Sequence, residues 1–182
     1  VEPFLFDLPL WSKSDIWHTT REYDTYDLTS KGLGSTLGYP LFEKVVGYLG
    51  YRLSDNNVTN IAESASRYIK EQEGQIVSSG LTATLSRDTT DDAMFPTKGT
   101  RNSLTVEYTG GFLQGDTNFT KYSASSTWFH PLPLNTVFGI RGRIGYLEGR
   151  EGTAIPVYDK FYLGGINSLR GLRDVGPKDP VT

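Results

Sequence analysis

Apolar and polar residues alternate with a period of two along most of the chain. From Arg101 to Phe112, the apolar positions Leu104, Val106, Tyr108 and Phe112 interleave with Arg101, Ser103, Thr105, Glu107 and Thr109. Between Val77 and Arg87, Leu81, Ala83 and Leu85 alternate with Gly80, Thr82, Thr84 and Ser86. Between Thr136 and Glu148, Phe138, Ile140, Ile144 and Tyr146 alternate with Gly139, Arg141, Arg143 and Gly145. Successive strand side chains point to opposite faces, so each stretch predicts a strand with one apolar and one polar side. The whole pattern predicts seven strands, at 10–23, 31–41, 45–53, 77–87, 101–112, 119–130 and 136–148, the first being the least regular. Each is near or above the ~9–11 residues that a tilted strand needs to cross a bilayer.

The polar side decides between a soluble sheet and a membrane barrel. A water-facing side is usually rich in Lys and Glu. Here it is mostly Gly, Ser and Thr with occasional Arg and Glu, as a polar lumen requires, and Arg141 and Arg143 are expected to face that lumen. The other side carries Leu, Val, Ile and Tyr, with Trp17 and Trp128 expected in an aromatic girdle. Short Pro-marked turns at 39–44 and 130–135 and a longer one at 89–100 alternate with polar links at 24–30, 54–75 and 110–118. Short periplasmic turns and longer outer loops give that alternation. The longest link predicts a small helix, capped by Asn60 with Glu63 three residues on, Ile61, Ala65, Tyr68 and Ile69 on one face, and Gly74 at its end. Seven strands leave an open edge where closed bacterial barrels have even counts, so part of a larger barrel is expected.

Composition narrows the function. Aromatic residues make up 13% of the 182 and the formal net charge is −3, which fits neither a disordered chain nor a nucleic-acid binder. Cysteine is absent, which removes thiol catalysis, disulfide frameworks and Cys-based zinc sites. No apolar run is long enough for a transmembrane helix, and no signal peptide opens this stretch. His18 and His130 sit beside no GxSxG or HExxH pattern, so no catalytic residue, metal site or cofactor is expected. Asp88, Asp91 and Asp92 lack the alternating ligand spacing of a calcium loop and read as a solvated turn. Gly32, Gly34 and Gly38 miss the dinucleotide-binding spacing and read as small residues on the lumen face.

Four stretches go further. Residues 87–101 read RDTTDDAMFPTKGTR, and 161–180 read FYLGGINSLRGLRDVGPKDP. Glu2-Pro3-Phe4 and Gly38-Tyr39-Pro40 read as two further turns. In order and spacing these resemble the BamA family, whose FPTxGxR turn leads into a strand and whose (V/I)RG(F/Y) segment follows a FYxGG run. The resemblance implies an all-β, antiparallel transmembrane barrel of about sixteen strands. Residues 1–182 would be part of it, POTRA domains would lie upstream, and residues 149–182 would be the truncated loop that folds into the lumen. It also implies an RG motif at Leu169, Arg170, Gly171 and Leu172, with Arg170 anchoring the loop and Phe161, Tyr162, Gly164 and Gly165 supporting it. A buried guanidinium needs bonded partners, and Gly171 would let the backbone turn beside it. Leu172 departs from the family, which usually has an aromatic there; this touches ring stacking at that position and not the Arg anchor.

The resemblance implies a non-enzymatic function: folding β-barrel proteins and inserting them into the bacterial outer membrane. Its partners would be the lipid bilayer, unfolded outer-membrane clients, and periplasmic lipoproteins and chaperones. The alternative is a barrel that secretes a single partner protein, or another transport pore.

Overall fold

Strand pairing follows chain order without a crossover. The structure, a computed structural model, describes residues 9–23, 25–65, 67–150, 152–153 and 155–161, Tyr68 by its backbone alone. Seven strands form one antiparallel sheet: β1 (Trp11–Glu22), β2 (Asp27–Phe42), β3 (Val45–Thr59), β4 (Gly74–Asp88), β5 (Gly99–Thr109), β6 (Phe119–Leu132) and β7 (Thr136–Gly149). A single helical turn, α1 (Arg67–Lys70), lies between β3 and β4, and 3-10 turns occupy Gly111–Leu113 and Val157–Asp159.

Register turns the sequence alternation into two chemically distinct faces. One row across the sheet reads Leu37, Leu49, Ala83, Val106, Tyr122, Tyr146; the next reads Leu85, Leu104, Ala124, Ile144. The opposite face carries Thr36, Gly50, Thr82, Glu107 and Lys121 in one row. The apolar face is the exposed one: Leu49, Leu104, Ile140 and Ile144 are open to the surroundings. A continuous outward apolar surface of this kind needs a membrane or a partner to cover it. Among the described residues no helix is long and apolar enough to cross a membrane, which says nothing of strands.

The compact apolar core lies at one end of the sheet, where strand ends meet the loops. Tyr26, Leu28, Val58, Ala65, Ile69 and Val157 cluster there, with Ile61 and Tyr158 against them. Burying Val58 and Val157 completely stabilises this end by about 1.5–3 kcal/mol per side chain. The other end consists of hairpin turns at 43–44, 89–98 and 133–135.

Several elements differ from the sequence reading. β2 starts at Asp27 and β3 runs to Thr59, because polar residues on both faces still pair once the apolar band has ended. β5 stops at Thr109, and Phe112 belongs to a 3-10 turn, stacked on Tyr108. Asn60 does not cap a helix: its φ is 53°, its side-chain amide donates to Asp27, and α1 begins only at Arg67. Residues 61–65 instead follow the β1–β2 loop, with the Ala62 amide donating to the Thr25 carbonyl. Trp17 stands in the middle of β1 on the polar face and is no girdle residue, whereas Trp128 is exposed on the apolar face. Gly38-Tyr39-Pro40 is no turn but the last part of β2, paired with Tyr48, Gly47 and Val46, and the chain reverses only at 43–44; the expected Glu2-Pro3-Phe4 turn lies outside the described residues.

Candidate functional site

After β7 the chain turns back onto the polar face. Arg150 fixes the turning point: its main-chain amide donates to the Asn118 carbonyl and its guanidinium to the Thr109 carbonyl at 2.7 Å. The same guanidinium lies 3.7 Å above the Tyr108 ring, a cation–π contact. Pro156 and Val157 are then fully buried, Val157 within the apolar cluster. Gln72, itself buried, grips this segment through both ends of its amide. Its nitrogen donates to the Ile155 carbonyl at 3.0 Å, and its oxygen accepts from the Val157 amide at 2.8 Å.

Tyr158 and Asp159 reach the floor, where Arg52 of β3, Glu107 of β5 and Lys121 of β6 stand on one face. The Lys121 ammonium donates to the Asp159 main-chain carbonyl at 2.7 Å. Burial pushes the Asp159 carboxyl up to about 6, Glu107 adds to the rise, and Lys121 and Arg52 oppose it. Burial, then the charge of Asp159, raises the Tyr158 phenol far above its ordinary value.

At three glycines on this face an aromatic ring takes the space of the missing side chain. A Cβ at Gly145 would come within 2.4–2.7 Å of the Phe161 ring, one at Gly38 within 2.2–2.5 Å of Trp11, and one at Gly32 within 2.6 Å of Trp17. Trp17 also donates to Ser30 at 3.2 Å and has the Arg52 guanidinium 4.8 Å from its ring centroid. Gly32, Gly38 and Gly145 are therefore seats for aromatic side chains.

Of the residues singled out in the sequence, Phe161 is brought into this site, over Gly145 and 4.8 Å from the Lys121 ammonium. Arg141 and Arg143 share the Gly145 face of β7, exposed and opposite Thr127 and Ser125, and the charges acting on Asp159 are those of Glu107, Lys121 and Arg52. Tyr162, Gly164, Gly165 and the motif Leu169, Arg170, Gly171, Leu172 lie outside the described residues. The sequence reading missed Gln72, Lys121, Tyr158 and Asp159. A signal existed only for the last two, in the apolar Pro156-Val157-Tyr158 just before Phe161; nothing marked Gln72.

No metal-binding grouping of His, Cys, Asp and Glu occurs among the described residues. The carboxylates of the 89–98 turn serve the turn itself. Asp91 accepts from the Thr97 hydroxyl and from the Thr97 and Lys98 amides, and Asp92 from the Met94 and Phe95 amides. The bond from the Thr97 hydroxyl and those two amides hold Asp91 well below the usual carboxylate range. The Phe95 and Met94 amides lower Asp92.

The chain is similar to known proteins in sequence and in fold. The Omp85 superfamily domain matches residues 6–180. The outer membrane protein assembly factor BamA of Nitratidesulfovibrio vulgaris is 38% identical over 169 residues, 90% of this chain and 21% of that protein. A SAM50-like protein of Schizosaccharomyces pombe is 33% identical over 167 residues, 87% of this chain and 34% of that protein. The crystal structure of Haemophilus ducreyi BamA lacking POTRA domains 1–3 has the same fold, with a TM-score of 0.80 over 95% of this chain and 36% of that one, at 20% identity. The chain thus spans about a fifth to a third of the curated relatives' length. With its sheet a section of an antiparallel β-barrel wall and its sequence matched almost throughout, the chain belongs to the Omp85 superfamily.

Proposed function

We propose that the chain is the wall section and lumen loop of a factor that folds β-barrel proteins and inserts them into the bacterial outer membrane. The observation that carries this reading is the segment 155–161, turned onto the polar face directly upstream of the LRGL motif. Relatives named as assembly factors support it. A simple pore has no need of the RG motif, whereas the secretion branch of the family shares a similar one.

In this reading the exposed Leu, Ile and Tyr face contacts lipid and the Gly, Ser and Thr face lines the lumen, with Arg141 and Arg143 among the lining residues. Arg170 anchors the far part of the loop on acidic residues of later strands, and Phe161, Tyr162, Gly164 and Gly165 support it. The work is mechanical and needs neither a cofactor nor a covalent intermediate. A weakly paired seam elsewhere in the barrel offers backbone donors and acceptors to an incoming client strand, as in β-augmentation. Thinned bilayer beside the seam lowers the barrier for polar loops. Upstream POTRA domains and periplasmic lipoproteins and chaperones would deliver the clients.

The test is depletion of the host's own copy, with complementation by the full-length gene carrying Arg170→Ala. Many folded outer-membrane barrels should fall together while the variant itself remains inserted. Normal barrel levels after complete removal of the gene would contradict assembly and favour secretion of a single client.

A further inference from the structure

The contact between residues 60–73 and 155–157 assigns a role that neither stretch shows alone. Gln72 is buried, and its side-chain amide makes two hydrogen bonds to the main chain of the inturned segment, at 3.0 and 2.8 Å. Those bonds read backbone, not side chains, so they fix where the segment sits whatever its sequence. Ala65 and Ile69, from the same loop as Gln72, pack in the apolar cluster with Val157, which is wholly buried. Below this roof the chain meets the charged floor at Asp159 and Lys121. The start of the inturned loop is therefore clamped between a surface loop and the barrel wall, several residues before Arg170 can act.

We propose that Gln72 is a positioning residue for the lumen loop, and that the 60–73 loop is the latch that seats the loop's first part on the wall. This rests on the reading of 155–161 as the start of a lumen loop and deepens it. A buried amide with both ends satisfied is costly to break, because separation exposes or strands its partners.

The test uses the full-length protein in native outer membranes with Val157→Cys as a reporter. This chain has no cysteine of its own, and Val157 is fully buried, so a membrane-impermeant maleimide should react slowly. Adding Gln72→Ala should raise the labelling rate roughly tenfold or more, from the loss of two hydrogen bonds. Gln72→Glu keeps the side chain's volume but turns a donor toward Ile155 into a second acceptor, so it should raise labelling as well. A role in packing volume alone would leave that variant slow. Gln75→Ala removes a comparable exposed bond, from Gln75 to Asp55, and should leave the rate unchanged. Heat-modified gel mobility verifies that each variant is a folded barrel. Unchanged labelling in Gln72→Ala and Gln72→Glu, with the barrel folded, would overturn the latch. The assembly reading fails separately, by normal client levels after gene removal, and the labelling result stands or falls without it.

Discussion

The two ends of the sheet are held together by different physics. At the hairpin end, each turn satisfies itself. Asp91 and Asp92 collect hydrogen bonds from Met94, Phe95, Thr97 and Lys98, Asp88 binds Arg101 at 2.7 Å, and Gly99 takes a φ of 105° that side-chain-bearing residues avoid. Side-chain partners within the 88–101 turn are at most thirteen residues apart, and one main-chain bond, from the Asp88 amide to the Lys44 carbonyl, ties it to the neighbouring turn. At the loop end, Gln72 and Val157 are 85 residues apart, and the cluster around Val157 draws on three separate loops and strand ends. The lesson is that the hairpin end is fixed by local sequence and should survive changes elsewhere. The loop end exists only while distant segments stay docked.

The largest effect should come from Val157→Asp. Placing an unpaired carboxylate in the apolar cluster should cost on the order of 3 kcal/mol or more of docking. Proteolysis within 150–161 should accelerate sharply while the barrel keeps its heat-modified mobility. Loss of the whole barrel would show that the two ends are one cooperative unit.

Next comes the ring seat. Gly145→Ala puts a methyl within 2.4–2.7 Å of Phe161, and Phe161→Ala removes the ring. The two changes should be non-additive in loop protection, with a coupling of about 1–3 kcal/mol. Additivity would mean that the ring does not rest there.

A milder and reversible contrast comes from pH. The docked Asp159 carboxyl lies near 6, above its ordinary value of 3.8. A raised acid pKa means the docked state binds the extra proton. Docking is therefore strongest below about 4, weakens as pH rises toward 6, and is level above that. Accessibility of 155–161 should fall severalfold on going from pH 7.5 to pH 5, with Arg52, Glu107 and Lys121 as the charges that set the midpoint. Asp159→Asn should flatten the response. The hairpin end should not respond in the same window, because Asp91 and Asp92 are held below their usual range and stay ionised. A parallel response at both ends would erase the distinction.

The contrast also explains what was legible in the sequence. The two faces were readable because alternation is local: Leu104, Val106 and Tyr108 share a side whatever surrounds them. Phe161 stood out in the sequence only through its motif. Trp17 was misplaced because a tryptophan on a barrel strand suits either a girdle or a glycine seat, and only register brings Gly32 beneath it. Asn60 looked like a cap by spacing, yet the pull of the Val157 cluster on Ile61 and Ala65 shapes that loop. Gln72 carried no local mark, since its partners come from the other half of the chain.

The most direct test of the account compares two neighbours on β7 in the full-length protein in native membranes. Arg143→Cys lies on the face that carries the inturned segment, and Ile144→Cys on the exposed apolar face. Arg143→Cys should react with a membrane-impermeant maleimide, and Ile144→Cys only with a lipid-soluble one. Equal reactivity, or the reverse order, would contradict the assignment of one face to the lumen and the other to lipid.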